Sequence, residues 1–145
     1  MQTQRLTAAF WALRIGLGSA AFLAGFDKFF NLLANWPAYL SPIATRVVPV
    51  TAPNLMHVVG VIEMAVGLAI LAGMTRLGSY VAAAWLVCIA LNLMTTGQFF
   101  DVAVRDVEMA IAAFTLARLT EAGVPATSDA VLVADRRNSI RTAAA

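Results

Sequence analysis

Apolar residues run almost unbroken through four stretches of this chain, 7–33, 55–73, 77–96 and 101–119, and proline, glycine and polar residues gather between them. The last three stretches are close to the roughly 20 residues that carry an α-helix across a hydrocarbon core of about 30 Å, and the first crosses it with a turn or more to spare. The pattern therefore predicts four membrane spans. The first run begins like a secretory signal, with Arg5 ahead of apolar residues and small residues near Ser19. Apolar residues nevertheless continue through Phe22, Leu23, Phe26, Phe29 and Phe30, and Arg14 interrupts the stretch, so a retained span is expected.

Residues 35–54 hold Pro37, Pro42, Pro49 and Pro53, too closely spaced for a continuous spanning helix. This connector is expected outside the bilayer core, with Trp36, Tyr39, Leu40, Ile43 and Val47 at the interface. Only a few residues separate the last three runs, which makes them antiparallel neighbours. The expected fold is an all-α integral membrane protein: residues 1–120 form an antiparallel four-helix transmembrane bundle with an interfacial proline-rich first connector. Residues 121–145 are expected to form a weakly ordered cytoplasmic tail.

Composition excludes a soluble alternative. With 61% hydrophobic and 12% charged residues and a mean hydropathy of +0.80, the chain cannot cover a water-facing surface. Its net charge of +2 is not gathered into a basic patch, so nucleic acid is not an expected partner. Arg5, Arg76, Arg118, Arg136, Arg137 and Arg141 fall on the side shared by both termini, against Lys28, Arg46 and Arg105 on the other. That bias places both termini in the cytoplasm. A single cysteine, Cys88, excludes an internal disulfide or C-x-x-C pair, and it is expected to be a packing residue. A lone histidine, His57, excludes a His-based metal centre, and no metal is expected.

Ionisable residues at bilayer depth are costly, so their placement carries information. Arg14, Gly18, Ala21, Gly25 and Lys28 recur at i, i+4, i+7, i+11 and i+14, one helix face on which small residues permit close packing. Glu63 lies between Gly60 and Gly67 on the second run, which makes Arg14 and Glu63 complementary features of one interior. Asp101, Arg105 and Glu108 share a face of the fourth run, with Asp106 one step around. At 1.5 Å per residue, Glu63 lies about 12 Å from the outer end of its span, Arg105 about 6 Å, Glu108 about 10 Å, and Asn92 about 22 Å from the cytoplasmic end. An outward-facing polar pocket is expected from Arg14, Lys28, Glu63, Asn92, Asp101, Arg105, Asp106 and Glu108, whether it receives a ligand or fixes helix register. Asp27 is expected to be a solvated boundary charge.

The strings Leu13-Arg14-Ile15-Gly16-Leu17-Gly18 and Gly25-Phe26-Asp27-Lys28-Phe29-Phe30, then Val61-Ile62-Glu63 with Gly67, Ala84-Trp85-Leu86, Ala90-Leu91-Asn92-Leu93 and Phe100-Asp101-Val102-Ala103-Val104-Arg105-Asp106, follow one another in order. In that order the chain resembles the DoxX and DoxX-like family of small membrane proteins over residues 5–120. The resemblance implies a four-helix bundle and a bacterial cell inner-membrane subunit tied to quinone-linked oxidation, as in thiosulfate:quinone oxidoreductase and terminal quinol oxidase components. The matching positions are Arg14, Gly25, Lys28, Glu63, Gly67, Asp101, Arg105 and Asp106. Glu108 departs from the pattern, and the cysteine pairs of redox-active relatives are missing, which argues against direct thiol chemistry. The expected function is an accessory component of a membrane respiratory assembly, not catalytic alone, with no intrinsic cofactor and with quinone or lipid as the occupant. Expected partners are the lipid bilayer and other membrane-protein subunits or further copies of the chain. A quinone-reactive oxidoreductase subunit, a small-solute carrier and an assembly factor are the alternatives.

Overall fold

A computed structural model describes residues 2–124, with side chains from residue 5 onward; the expected tail lies almost wholly outside them. Five α-helices and a 3-10 turn make up the described residues, without a strand: α1 (Gln2–Asp27), the turn Trp36–Tyr39, α2 (Pro42–Val47), α3 (Ala52–Ala72), α4 (Thr75–Thr95) and α5 (Phe100–Glu121). Residues 5–27 of α1, all of α3 and all of α4 are long and apolar enough to cross a membrane. α5 has the length but carries Asp101, Arg105, Asp106 and Glu108 in its first turns.

Among the helix boundaries that differ from the apolar pattern, two have a local reason. α1 stops at Asp27 although apolar residues continue to Leu33. The Asp27 carboxylate accepts the N–H groups of Leu32 and Leu33, both at 3.0 Å, and Asn31 turns the chain with φ of 53°. α3 starts at Ala52, ahead of the expected residue 55, because Pro53 falls in the first turn, where the missing N–H breaks no helical bond. The connector's second half coils into α2, whose N-cap Ser41 accepts the Ala44 N–H at 3.1 Å. Gly73, with φ of 111°, ends α3 in the left-handed conformation that a side chain disfavours.

Packing sorts the long helices into two tight pairs, α1 with α3 and α4 with α5, joined by thinner seams. Antiparallel α1 and α3 meet backbone to backbone at Gly18 against Gly67 and Gly25 against Gly60; a Cβ at Gly60 would stand 2.5 Å from the Gly25 carbonyl oxygen. α4 and α5 run side by side throughout. Leu93 packs with Ala103 at one end, Ala82 with Ala113 and Leu116 further along, and Arg76 pairs with Glu121 at 3.0 Å at the other. Arg118 joins that last pair at 2.5 Å. Partial desolvation raises the Glu121 carboxyl, but Tyr80, Arg118 and Arg76 together hold it below its ordinary range.

Large apolar side chains point away from the bundle, among them Ile15, Leu23, Val61, Leu68, Val87 and Leu91, each more than two-fifths exposed. Small and polar residues take the interior, including Ala90, Ala103, Ala113, Ser79 and Glu63. This arrangement suits contact with lipid, where close backbone approach rather than hydrophobic burial holds helices together. Cys88, expected to be a packing residue, sits on the exposed side of α4.

Candidate functional site

The connector end of the bundle gathers the charges that the membrane would otherwise exclude. Lys28, the first residue beyond α1, is carried by the Gly25–Gly60 contact against Glu63 in α3. Its Nζ donates to Glu63 Oε2 at 2.5 Å, with the side chains 5% and 10% exposed. At that burial the pair stands only because each charge is the other's counterion. Asp106 of α5 is half-buried and lies within electrostatic range of both Glu63 and Lys28.

Two tryptophans border this triad. The Trp36 ring lies over the Lys28 ammonium, 3.8 Å from ring centre to Nζ, a cation–π contact. Asp27 fixes that ring by accepting Trp36 Nε1–H at 2.7 Å. Asp27 is therefore buried and bonded to three N–H groups, in contrast to the solvated boundary charge expected. On the α4 side, the buried Trp85 Nε1 lies near the Glu63 carboxylate without meeting hydrogen-bond geometry.

The other expected pocket residues go elsewhere. Arg14 faces the opposite end of the α1–α3 pair, donating from Nε to the Ile70 carbonyl at 3.0 Å and from Nη2 to the Leu71 carbonyl at 2.7 Å. It caps the C-terminal end of α3, where orphan carbonyls and the helix dipole favour a cation. Arg14 and Glu63 share a helix interface but not a site. Asn92 clamps the connector: its Nδ2 donates to the Tyr39 carbonyl at 2.7 Å, and its Oδ1 accepts the Ser41 N–H at 3.1 Å. Tyr39 in turn packs edge-on against Phe99, ring centres 4.7 Å apart. Asp101, Arg105 and Glu108 are exposed on the outer face of α5. His57 stacks on Phe29 at 4.9 Å.

The site that emerges is Lys28, Glu63 and Asp106, bordered by Trp36 and Trp85 and steadied by Asp27 and, through the connector, Asn92. Its carboxylates and ammonium can accept and donate protons. Among the described residues no three His, Cys, Asp or Glu side chains cluster as metal ligands. The sequence places Trp36 at the interface and Asp27 at a span boundary, but only the fold of residues 28–36 returns the ring over Lys28.

The capping role of Arg14 has a measurable consequence. Arg14→Ala removes two hydrogen bonds from a charged donor and is expected to lower stability in detergent by about 2–4 kcal/mol, while Arg14→Lys, lacking the planar fork, recovers only part. Equal unfolding midpoints for Arg14→Ala and the parent would contradict the cap. Compared with family models, with curated proteins and with solved structures, the chain matches none.

Proposed function

We propose that this chain is a four-span, DoxX-like protein of a bacterial inner membrane, with both termini cytoplasmic. In this reading it serves as an accessory subunit of a membrane redox assembly, its connector-end cluster taking a quinone head group. The three apolar helices and their lipid-suited outer faces make this a small membrane protein. Support for a fourth crossing comes from the antiparallel register of α5 along α4, which carries α5 through the same thickness as a helix apolar enough to span. The arginine bias supports the orientation.

The observation that carries the functional reading is the lidded ion pair: Lys28 and Glu63, buried together, with Trp36 held over them by a separate carboxylate. An ion pair that fixed register alone would have no use for an anchored aromatic cover. A quinone ring can replace the ammonium as the stacking partner of Trp36, its carbonyl oxygen accepting from Lys28. In this reading Glu63 or Asp106 exchanges protons with the reduced form, and electron transfer belongs to partner subunits.

Extraction from native membranes in mild detergent tests this. The expected result is co-purification of other membrane subunits together with quinone, and loss of the quinone in a folded Glu63→Gln variant. Recovery of this chain as a clean, stable, quinone-free oligomer would remove the proposal.

A further inference from the structure

On α5, Asp101, Arg105, Glu108, Ala112 and Thr115 recur at i, i+4, i+7, i+11 and i+14, a single stripe. All but half-buried Ala112 are exposed, and the stripe lies opposite the Ala103, Ala110, Ala113 and Ala117 face that packs into the bundle. Among the described residues neither Arg105 nor Glu108 takes part in an ion pair, since the salt bridges found join Lys28 to Glu63 and Arg76 and Arg118 to Glu121. Asp101, at the helix start, can reach water. Glu108 lies about 10 Å further along the axis, beyond the reach of its short side chain to the surface, so in lipid this face has to be covered.

We infer that the α5 stripe is the interface with a second copy of this chain, Arg105 of each copy pairing with Glu108 of the other. The inference rests on the four-span reading and not on the quinone reading. What selects a second copy is self-complementarity: the stripe carries a cation and an anion three residues apart, an axial offset of about 4.5 Å, neither in a salt bridge, although Arg105 lies within electrostatic range of Asp106. When two parallel α5 helices are related by a twofold axis normal to the membrane, each arginine spans that offset to the opposite glutamate, and both pairs form at once. Ala112 and Thr115, one and two turns deeper, are small enough to let the backbones approach where the charges end; Thr115 already satisfies its hydroxyl on the Ile111 carbonyl at 2.8 Å. A partner of single charge would leave one of the two groups uncompensated.

Cysteine cross-linking in native membranes, in a Cys88→Ser background, tests the interface. Ala112→Cys is expected to yield an oxidatively linked dimer, and Leu68→Cys, on the outer face of α3, is not. Arg105→Glu or Glu108→Arg alone, each setting like charges opposite one another, should cut the Ala112→Cys dimer about tenfold, and the combined swap should restore it to within about twofold. Equal linkage from both cysteine positions, a swap no better than the single reversals, or an adduct of a different mass overturns the inference. Labelling of Gln98→Cys and Ala122→Cys by an impermeant maleimide separates the two readings. Reaction from the same face removes the fourth crossing and the dimer face with it, whereas reaction from opposite faces without cross-linking removes the dimer face alone.

Discussion

Glu63→Ala is expected to destabilise the protein by about 3–5 kcal/mol, because it leaves the Lys28 ammonium buried without its counterion. Trp36 offsets little of this, since a cation–π contact contributes about 0.5–2 kcal/mol and is already present in the parent. Lys28→Ala should cost a similar amount by stranding Glu63. Removing both charges is a different experiment. Lys28→Met with Glu63→Leu replaces the pair by apolar groups of similar volume, and the desolvation cost of two ions disappears with their attraction. The double variant should therefore recover most of the stability lost by either single change while losing the proposed quinone binding. Unfolding midpoints in mixed micelles check this: a Glu63→Ala protein as stable as the parent would show that the pair is not buried together.

Widening the α1–α3 contact should have an effect at least as large. A Cβ at Gly25 would lie 2.5 Å from the Gly60 carbonyl oxygen and 2.8 Å from the Met64 nitrogen. Those are backbone atoms in a spanning helix and have no flexible end to swing aside. Gly25→Val or Gly60→Val must push the helices apart, and the seam that opens leads to the Lys28–Glu63 pair. Overpacking alone costs about 1–3 kcal/mol, occasionally more; exposure of the ion pair adds to it, and accumulation in the membrane should fall sharply. Gly16→Ala is the control, because a Cβ there meets nothing within 4 Å, and alanine is the better helix former by about 1 kcal/mol. Gly16→Ala should accumulate at least as well as the parent; equal behaviour of Gly16→Ala and Gly60→Val would contradict the close contact.

The four apolar runs correspond to the four long helices, because a run of that length with small residues on one face has few other ways to satisfy its backbone. Their ends were less legible. Asp27 terminates α1 through side-chain bonds to residues 32 and 33, and an apolarity pattern carries no information about such bonds. Pro53 reads as a stop although its ring fits the first turn of α3. In the site, the spacing of Gly18, Gly25, Gly60 and Gly67 correctly implied facing stripes on α1 and α3, and the Lys28–Glu63 pair follows from that register. The same periodicity misjoined Arg14 to Glu63, since it gives a shared face but not a shared height: Arg14 lies about 21 Å below Lys28 along the helix axis. Charges on α5 were legible as a face but not as inward or outward. Asp106 turns to the seam, and Asp101, Arg105 and Glu108 turn away from it. The lid on Lys28 depends on the path of residues 28–36, which no helical periodicity describes.

The proposed site, its orientation and the α5 face all depend on a bundle that crosses the membrane four times, and single cysteines placed at the connections measure this directly. With Cys88 replaced by serine, Ala38→Cys and Gln98→Cys should react with an impermeant maleimide added outside intact cells. Met74→Cys and Ala122→Cys should react only after permeabilisation. Labelling of Gln98→Cys and Ala122→Cys from the same side would contradict the account, since α5 would then not cross and its charges would lie in water.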